Sequence, residues 1–166
     1  MPSDAADLQY ETRGTVSPLS WDDAETRYRE LGATAQSVVR ELARAMSFDR
    51  EEYESRVDSD VVETARQTLF AESLAVRIAD WGTFDEWRKE YPHDVRVAGS
   101  DNVGRVAWHD SPAAEAAVAA TFENEPDAAV GTVRRMAFNR LYRDRLTSSG
   151  ADADGEGDGA TTEDEP

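Results

Sequence analysis

VRVAGSDNVGRVAWHDSPAAEAAVAATF, residues Val95 to Phe122, decides how the rest of the chain is arranged. Val95 and Val97 alternate with Arg96 and Ala98, the period-two pattern of a strand with one buried face. Gly99, Ser100, Asp101 and Asn102 are turn residues. Val103 to Trp108 reads as a return strand, so a hairpin turning about Ser100–Asp101 is expected. A helix should follow. Ser111 is a good N-cap, Pro112 suits the first helical position, and Ala114, Ala117, Val118 and Phe122 recur at helical spacing.

Upstream, Leu8, Tyr10, Thr12 and Val16 alternate with polar residues, which predicts an N-terminal strand ended by Pro18. Ser20 caps a helix with Trp21, Ala24, Tyr28 and Leu31 on its apolar side, and Gly32 is expected to stop it. Thr34 then caps a second helix whose buried stripe is Ala35, Val38, Val39, Leu42 and Met46. An acidic turn holding Phe48 and Tyr53 leads to a long helix. It starts at Ser59 or Asp60, runs through Val62, Leu69, Phe70, Leu74 and Ile78, and ends at Gly82. Thr83 caps a short helix bearing Phe84, Trp87 and Tyr91, which Pro92 closes. Downstream of the opening stretch, Pro126 starts a last helix with Val130, Val133, Met136, Ala137 and Leu141 as its stripe. The fold class is α+β and mostly helical. A small antiparallel sheet, the Tyr10 strand plus the hairpin, is packed by about five to seven helices.

The domain should run over residues 9–146, between a short tail (1–8) and an acidic one (147–166). SSGADADGEGDGATTEDEP has seven acidic residues, four glycines and no large apolar side chain, so it cannot bury enough surface to offset its chain entropy. Over the whole chain, 35 Asp and Glu stand against 18 Lys and Arg, for a net charge of −17, and Lys89 is the only lysine. That surface is the one expected of a protein working in concentrated salt. At about 1 M the Debye length is only ~3 Å, and like-charge repulsion is screened. The N-terminus has no basic start and no apolar run, and no stretch approaches a membrane span, so a cytoplasmic protein with no membrane contact is expected.

The residues exclude several chemistries. Without cysteine there is no disulfide, thiolate nucleophile or Cys-ligated zinc. Lys89 has no neighbouring glycine, so there is no P-loop. No GxGxxG follows a strand, and neither GxSxG nor HExxH occurs. Two arrangements remain. A hairpin turning at Ser100–Asp101 would set His93 opposite Trp108 or His109, and with Asp110 these histidines are weak candidates for a divalent metal site. The last helix carries Arg134, Arg135, Arg140, Arg143 and Arg145, with Phe138 and Tyr142 available for stacking, as an anionic partner such as nucleic acid would require.

The run GSDNVGRVAWHDSPAAEAAVAATFENEPDAAVGTVRRMAF and the earlier TAQSVVRELARAMSFDREEYESRV resemble small acidic proteins of halophilic archaea that form a family of unknown function. The resemblance implies a halophile's cytosolic protein and assigns no catalytic residue. No cofactor is expected. The best expectation is a non-catalytic module that binds a protein partner or itself, with Trp108, His109, Arg134, Arg135 and Arg140 as candidate contact residues. A nucleic-acid-associated regulator using the arginine helix comes second, and a metal-dependent enzyme at His93 and His109 third.

Overall fold

The computed structural model describes residues 10–147. The expected tail 1–8, Gln9 and all of the expected tail 147–166 but Thr147 lie outside them, and Thr147 ends the last helix.

Five strands form one sheet: β1 (Glu11–Arg13), β2 (Val76–Asp80), β3 (Asp94–Ala98), β4 (Arg105–Ser111) and β5 (Ala116–Phe122). Their spatial order is β1-β2-β4-β5-β3. The sheet is mixed, not antiparallel. β3 does not fold back on β4. It runs parallel to β5, with Asp94 opposite Ala116 and Ala98 opposite Ala120, and β5 separates it from β4. The expected hairpin is therefore absent. β5 is buried on both faces, while β3 is half exposed. A strand buried on both sides takes the interior place, and the more polar one takes the edge.

The expected helix after Ser111 is a single turn. The Ser111 hydroxyl accepts from the Ala114 amide at 3.0 Å, and the Glu115 amide donates to the Ser111 carbonyl at 2.8 Å. Glu115 then takes a left-handed backbone, φ 56°, and the turn ends. Ala116–Phe122 is alanine-rich and favours a helix locally, but pairing with β4 and β3 at once overrides that preference. The same override shortens the expected helix from Ser59 to Gly82. It stops at Ser73, and Val76–Asp80 pairs between β1 and β4. Gly82 ends nothing: Asp80 caps the next helix by accepting from the Thr83 amide at 2.8 Å.

The described residues also form five helices: α1 (Trp21–Ala45), α2 (Arg50–Arg56), α3 (Ser59–Ser73), α4 (Trp81–Glu90) and α5 (Pro126–Ala137). On one face α1, α3 and α5 pack over Val76, Ile78, Val118 and Phe122, with Phe70 at the centre. Phe70 meets Tyr28, Phe138 and Tyr142 edge-on at 5.7, 6.0 and 5.3 Å. On the other face α4 lays Phe84 and Trp87 over Trp108. α5 continues through a π turn, Phe138–Tyr142. Its extra residue moves the buried stripe from the expected Leu141 to Tyr142 and Leu146.

α1 is one continuous helix of 25 residues, not two. Gly32 sits inside it with an ordinary helical backbone, and a Cβ there would find only an Arg66 guanidinium nitrogen, at 3.7 Å. Gly32→Ala should therefore stabilise the protein by roughly 0.5–1 kcal/mol, the helix-propensity difference, read from chemical denaturation. A break at Gly32 with a left-handed glycine would give a loss instead.

Candidate functional site

The structure separates the two histidines. His109 lies on β4 and points to the α5 side of the sheet. His93 precedes the edge strand β3 and leans edge-on against Tyr91, which stacks on Trp87 on the opposite side. The expectation that the hairpin brings them together fails with the hairpin. Asp110 is engaged by Arg77 at 3.2 Å. Among the described residues no group of three or more His, Asp and Glu is placed to hold a metal ion.

His109 is buried and fully bonded. Its Nδ1 lies 2.7 Å from the Ala75 carbonyl, which can only accept, so Nδ1 carries the proton. Nε2 then accepts the Tyr142 hydroxyl proton at 2.8 Å. Neither nitrogen is left with a lone pair for a metal. Burial holds this imidazole below its ordinary pKa and outweighs the Ala75 bond and the Asp110 charge, which act the other way. Burial also pushes the Tyr142 phenol well above its ordinary value. The pair fastens the π turn to β4 and β2. Straight helical spacing puts Tyr142 off the buried face, so the sequence alone does not mark it for this role.

Trp108 is fully buried under Phe84, Trp87 and Tyr10 and presents nothing to a partner. The arginines of the last helix scatter. Arg134 donates to the Leu74 carbonyl at 3.1 Å and pairs with Glu72 at 3.5 Å. Arg135 reaches Thr132 on its own helix. Arg145 pairs with Glu25 of α1 at 3.2 Å and lies over Trp21. Arg143 lies over Phe138. Arg140 is exposed and shares a groove of about 570 Å³ with Arg96 and Asp94 at the β3 edge.

The feature that stands out is the far half of α1. Leu42 follows Ala24, and Met46 follows Tyr28, by eighteen residues, which is about five turns, so each pair points the same way from the axis. Ala24 and Tyr28 are 0% and 4% exposed, whereas Leu42 and Met46 are 57% and 64% exposed. Past Ala35 the buried side of α1 narrows to Val39 and Ala43, and the row through Leu42 and Met46 is left exposed. Val38 adds a third apolar side chain at 36% exposure. This end is not frayed, because Val39 and Ala43 beside the bare stripe are buried. Its last turn closes with the Ser47 amide on the Arg44 carbonyl and the Phe48 amide on the Ala43 carbonyl, both at 3.0 Å. Ser47 takes the left-handed seat, φ 61°, that such a C-cap requires. The sequence does show Val38, Leu42 and Met46 as an apolar stripe, but spacing alone cannot tell whether anything covers it.

The model of a family of unknown function, DUF5809, matches residues 15–143. The chain belongs to the DUF5809 family. The matched span contains all of α1, His109 and Tyr142 and leaves out β1, so the DUF5809 unit includes the free helix end and the buried pair. No curated protein and no solved structure matches the chain. No helix among the described residues is long and apolar enough to cross a membrane.

The buried pair of this DUF5809 protein should make its stability depend on pH. The unfolded imidazole takes up a proton below about pH 6.5, while the folded one, its pKa lowered by burial, stays neutral. The unfolded state then binds more protons, so stability falls as pH drops from about 6.5 towards the folded pKa, at up to about 1.4 kcal/mol per pH unit. Denaturation midpoints of wild type and His109→Gln at pH 7.5 and 5.5 check this, with the smaller loss expected in the variant. Tyr142→Phe leaves Nε2 without a donor and should cost about 1–3 kcal/mol.

Proposed function

We propose that this protein is a non-catalytic interaction module that associates with a second copy of itself through the free end of α1. One observation carries the proposal: Leu42 and Met46 repeat, about five turns on, the buried positions of Ala24 and Tyr28 and lie bare. Only five large apolar side chains are exposed among the described residues, and Val38, Leu42 and Met46 are three of them, in one row. On a chain with a net charge of −17 a row of this kind has no solubility role.

A second copy suits the stripe because the stripe is symmetric. Val38 and Met46 lie equally far from Leu42, so two copies related by a two-fold axis at Leu42 present the same apolar positions to each other, as an isologous interface requires. Three side chains per copy make a small interface, below the ~1,000 Å² of a permanent one, so the association belongs to the transient class. The salt-rich cytoplasm expected from the acidic, lysine-poor composition belongs to the same proposal. Two chains of this charge repel in dilute buffer, and at about 1 M salt, with a Debye length of ~3 Å, that repulsion is screened.

Light scattering at rising protein concentration in dilute buffer and in about 1 M KCl tests this. The mass should move towards twice the monomer in high salt. Leu42→Glu, at an exposed position that leaves the core intact, should weaken association at least tenfold, or about 1.4 kcal/mol. A wild type that stays monomeric in both buffers at millimolar protein would overturn the proposal.

A further inference from the structure

The edge strand β3 is bare on one side. Val95 and Val97 pack towards Trp108 on the α4 side of the sheet. Asp94 and Arg96, at the alternate positions, therefore face the α5 side, and both are exposed. On that side α5 lies over β5, β4 and β2. A groove of about 570 Å³ runs between β3 and the π turn, with Ala116 and Val118 along it and Arg96, Arg140 and Leu141 at its rim. Acids outnumber bases 35 to 18 in this chain, yet Arg96 and Arg140 are in no ion pair among the described residues. The backbone groups of β3 that turn away from β5 have no strand beyond them either. We infer that the groove takes an acidic extended segment added beside β3, and that this segment is the chain's own residues 151–159, ADADGEGDG. The inference is independent of the surface on α1.

The occupant is argued from its pattern, its charge and its reach. Asp152, Asp154, Glu156 and Asp158 take every second place, with Ala153, Gly155 and Gly157 between them. In an extended backbone that period sets every carboxylate on one side and only small side chains on the other. The segment has no side chain larger than alanine to bury on its second side, so backbone bonds to β3 and charge are what hold it, as in peptides that extend a sheet edge. α5 begins beside Ala98 and Ala120, and its continuation passes Ala116 and Asp94 at Arg140. Thr147 therefore leaves the fold at the Asp94 end of β3. It stands six residues, or ~9 Å of helix, beyond Leu141. The five steps from Thr147 to Asp152 cover up to ~17 Å when extended, enough to bring Asp152 back to Arg140. Like charges set the limit. Asp94 stands in the groove, and Glu123 and Glu125 line the hollow beyond Ala98. The pairing thus falls on the first two carboxylates, Asp152 and Asp154, with Arg140 and Arg96. Weak contacts suffice, because a short linker holds the segment at an effective concentration on the order of millimolar. Salt should loosen it, since at about 1 M the Debye length is only ~3 Å.

The chain has no cysteine, so a spin label on Gly155→Cys reports from one place only. In the full-length protein in dilute buffer it should broaden the amide resonances of Arg96 and Val97 and leave those of β1, at the far edge of the sheet, sharp. The broadening should be lost in about 1 M KCl. In dilute buffer it should also be lost when Arg96→Glu and Arg140→Glu are combined, both at exposed positions. Adding Asp152→Arg and Asp154→Arg to that variant should restore it. β3 amides that stay sharp in dilute buffer, or that broaden as much in the doubly substituted chain, would overturn the inference. So would broadening of Arg96 and Val97 in a mixture of spin-labelled copies with unlabelled, nitrogen-15-enriched ones, because the segment would then sit on a second copy. Self-association through Leu42 is read from the mass and stands or falls without this result.

Discussion

A 25-residue helix is roughly 37 Å long, and its first part, through Trp21, Ala24 and Tyr28, is the part that joins the main core. Beyond Ala35 the helix keeps its course because α3 packs along one flank and the Ser47 turn closes its end. Among the described residues its other flank is left exposed at Val38, Leu42 and Met46. Val39 and Ala43 are buried where Val38 and Leu42 are not. The result is a braced helix with a bare apolar row. A loose end would leave the buried flank exposed as well, and this one does not. From this single constraint, a helix longer than the core that holds it, follow the free surface, its symmetry about Leu42 and the narrow overlap available to a partner.

The base of that helix is held by a different kind of interaction. Trp21 meets Tyr142 edge-on at 5.9 Å, and the Tyr142 hydroxyl donates a hydrogen bond to His109 Nε2. The neutral imidazole in turn donates to the Ala75 carbonyl. A buried polar pair with every bond satisfied specifies one arrangement, because any shift leaves a donor or acceptor unpaired in a low-dielectric site. The π turn is part of the same device. Without its extra residue the phenol would face away from β4. Residues that look like acid–base chemistry in the sequence thus set the position of the terminal helix, against which α1 is seated.

Much of the fold was legible where one local signal agreed with its surroundings. The starts of α1 and α5, the strand character of Val95–Ala98 and Arg105–Trp108, and the α+β class all follow from caps, turn residues and periodicity. What was not legible depended on contacts distant in sequence. Ala116–Phe122 is buried on two faces and so shows no alternation, and its alanines favour a helix until β3 and β4 pair with it. Gly32 carries the usual stop signal, yet packing at Tyr28 and Ala35 carries the helix through it. The site divides the same way. Val38, Leu42 and Met46 were visible as an apolar stripe, and only the fold shows that they extend past the core. Trp108 and His109 were visible as candidates, and only the fold shows that both are enclosed.

The free end of α1 carries one of the chain's three methionines, Met46; the others are Met1 and Met136. Methyl NMR of the methionine-labelled protein, recorded over a range of protein concentrations at high salt, examines the docking surface directly. The Met46 methyl resonance should shift with concentration while that of Met136, which is half-buried against the core from α5, stays fixed. A Met46 resonance that does not move up to millimolar protein, or one that moves together with Met136, would contradict docking at this helix end.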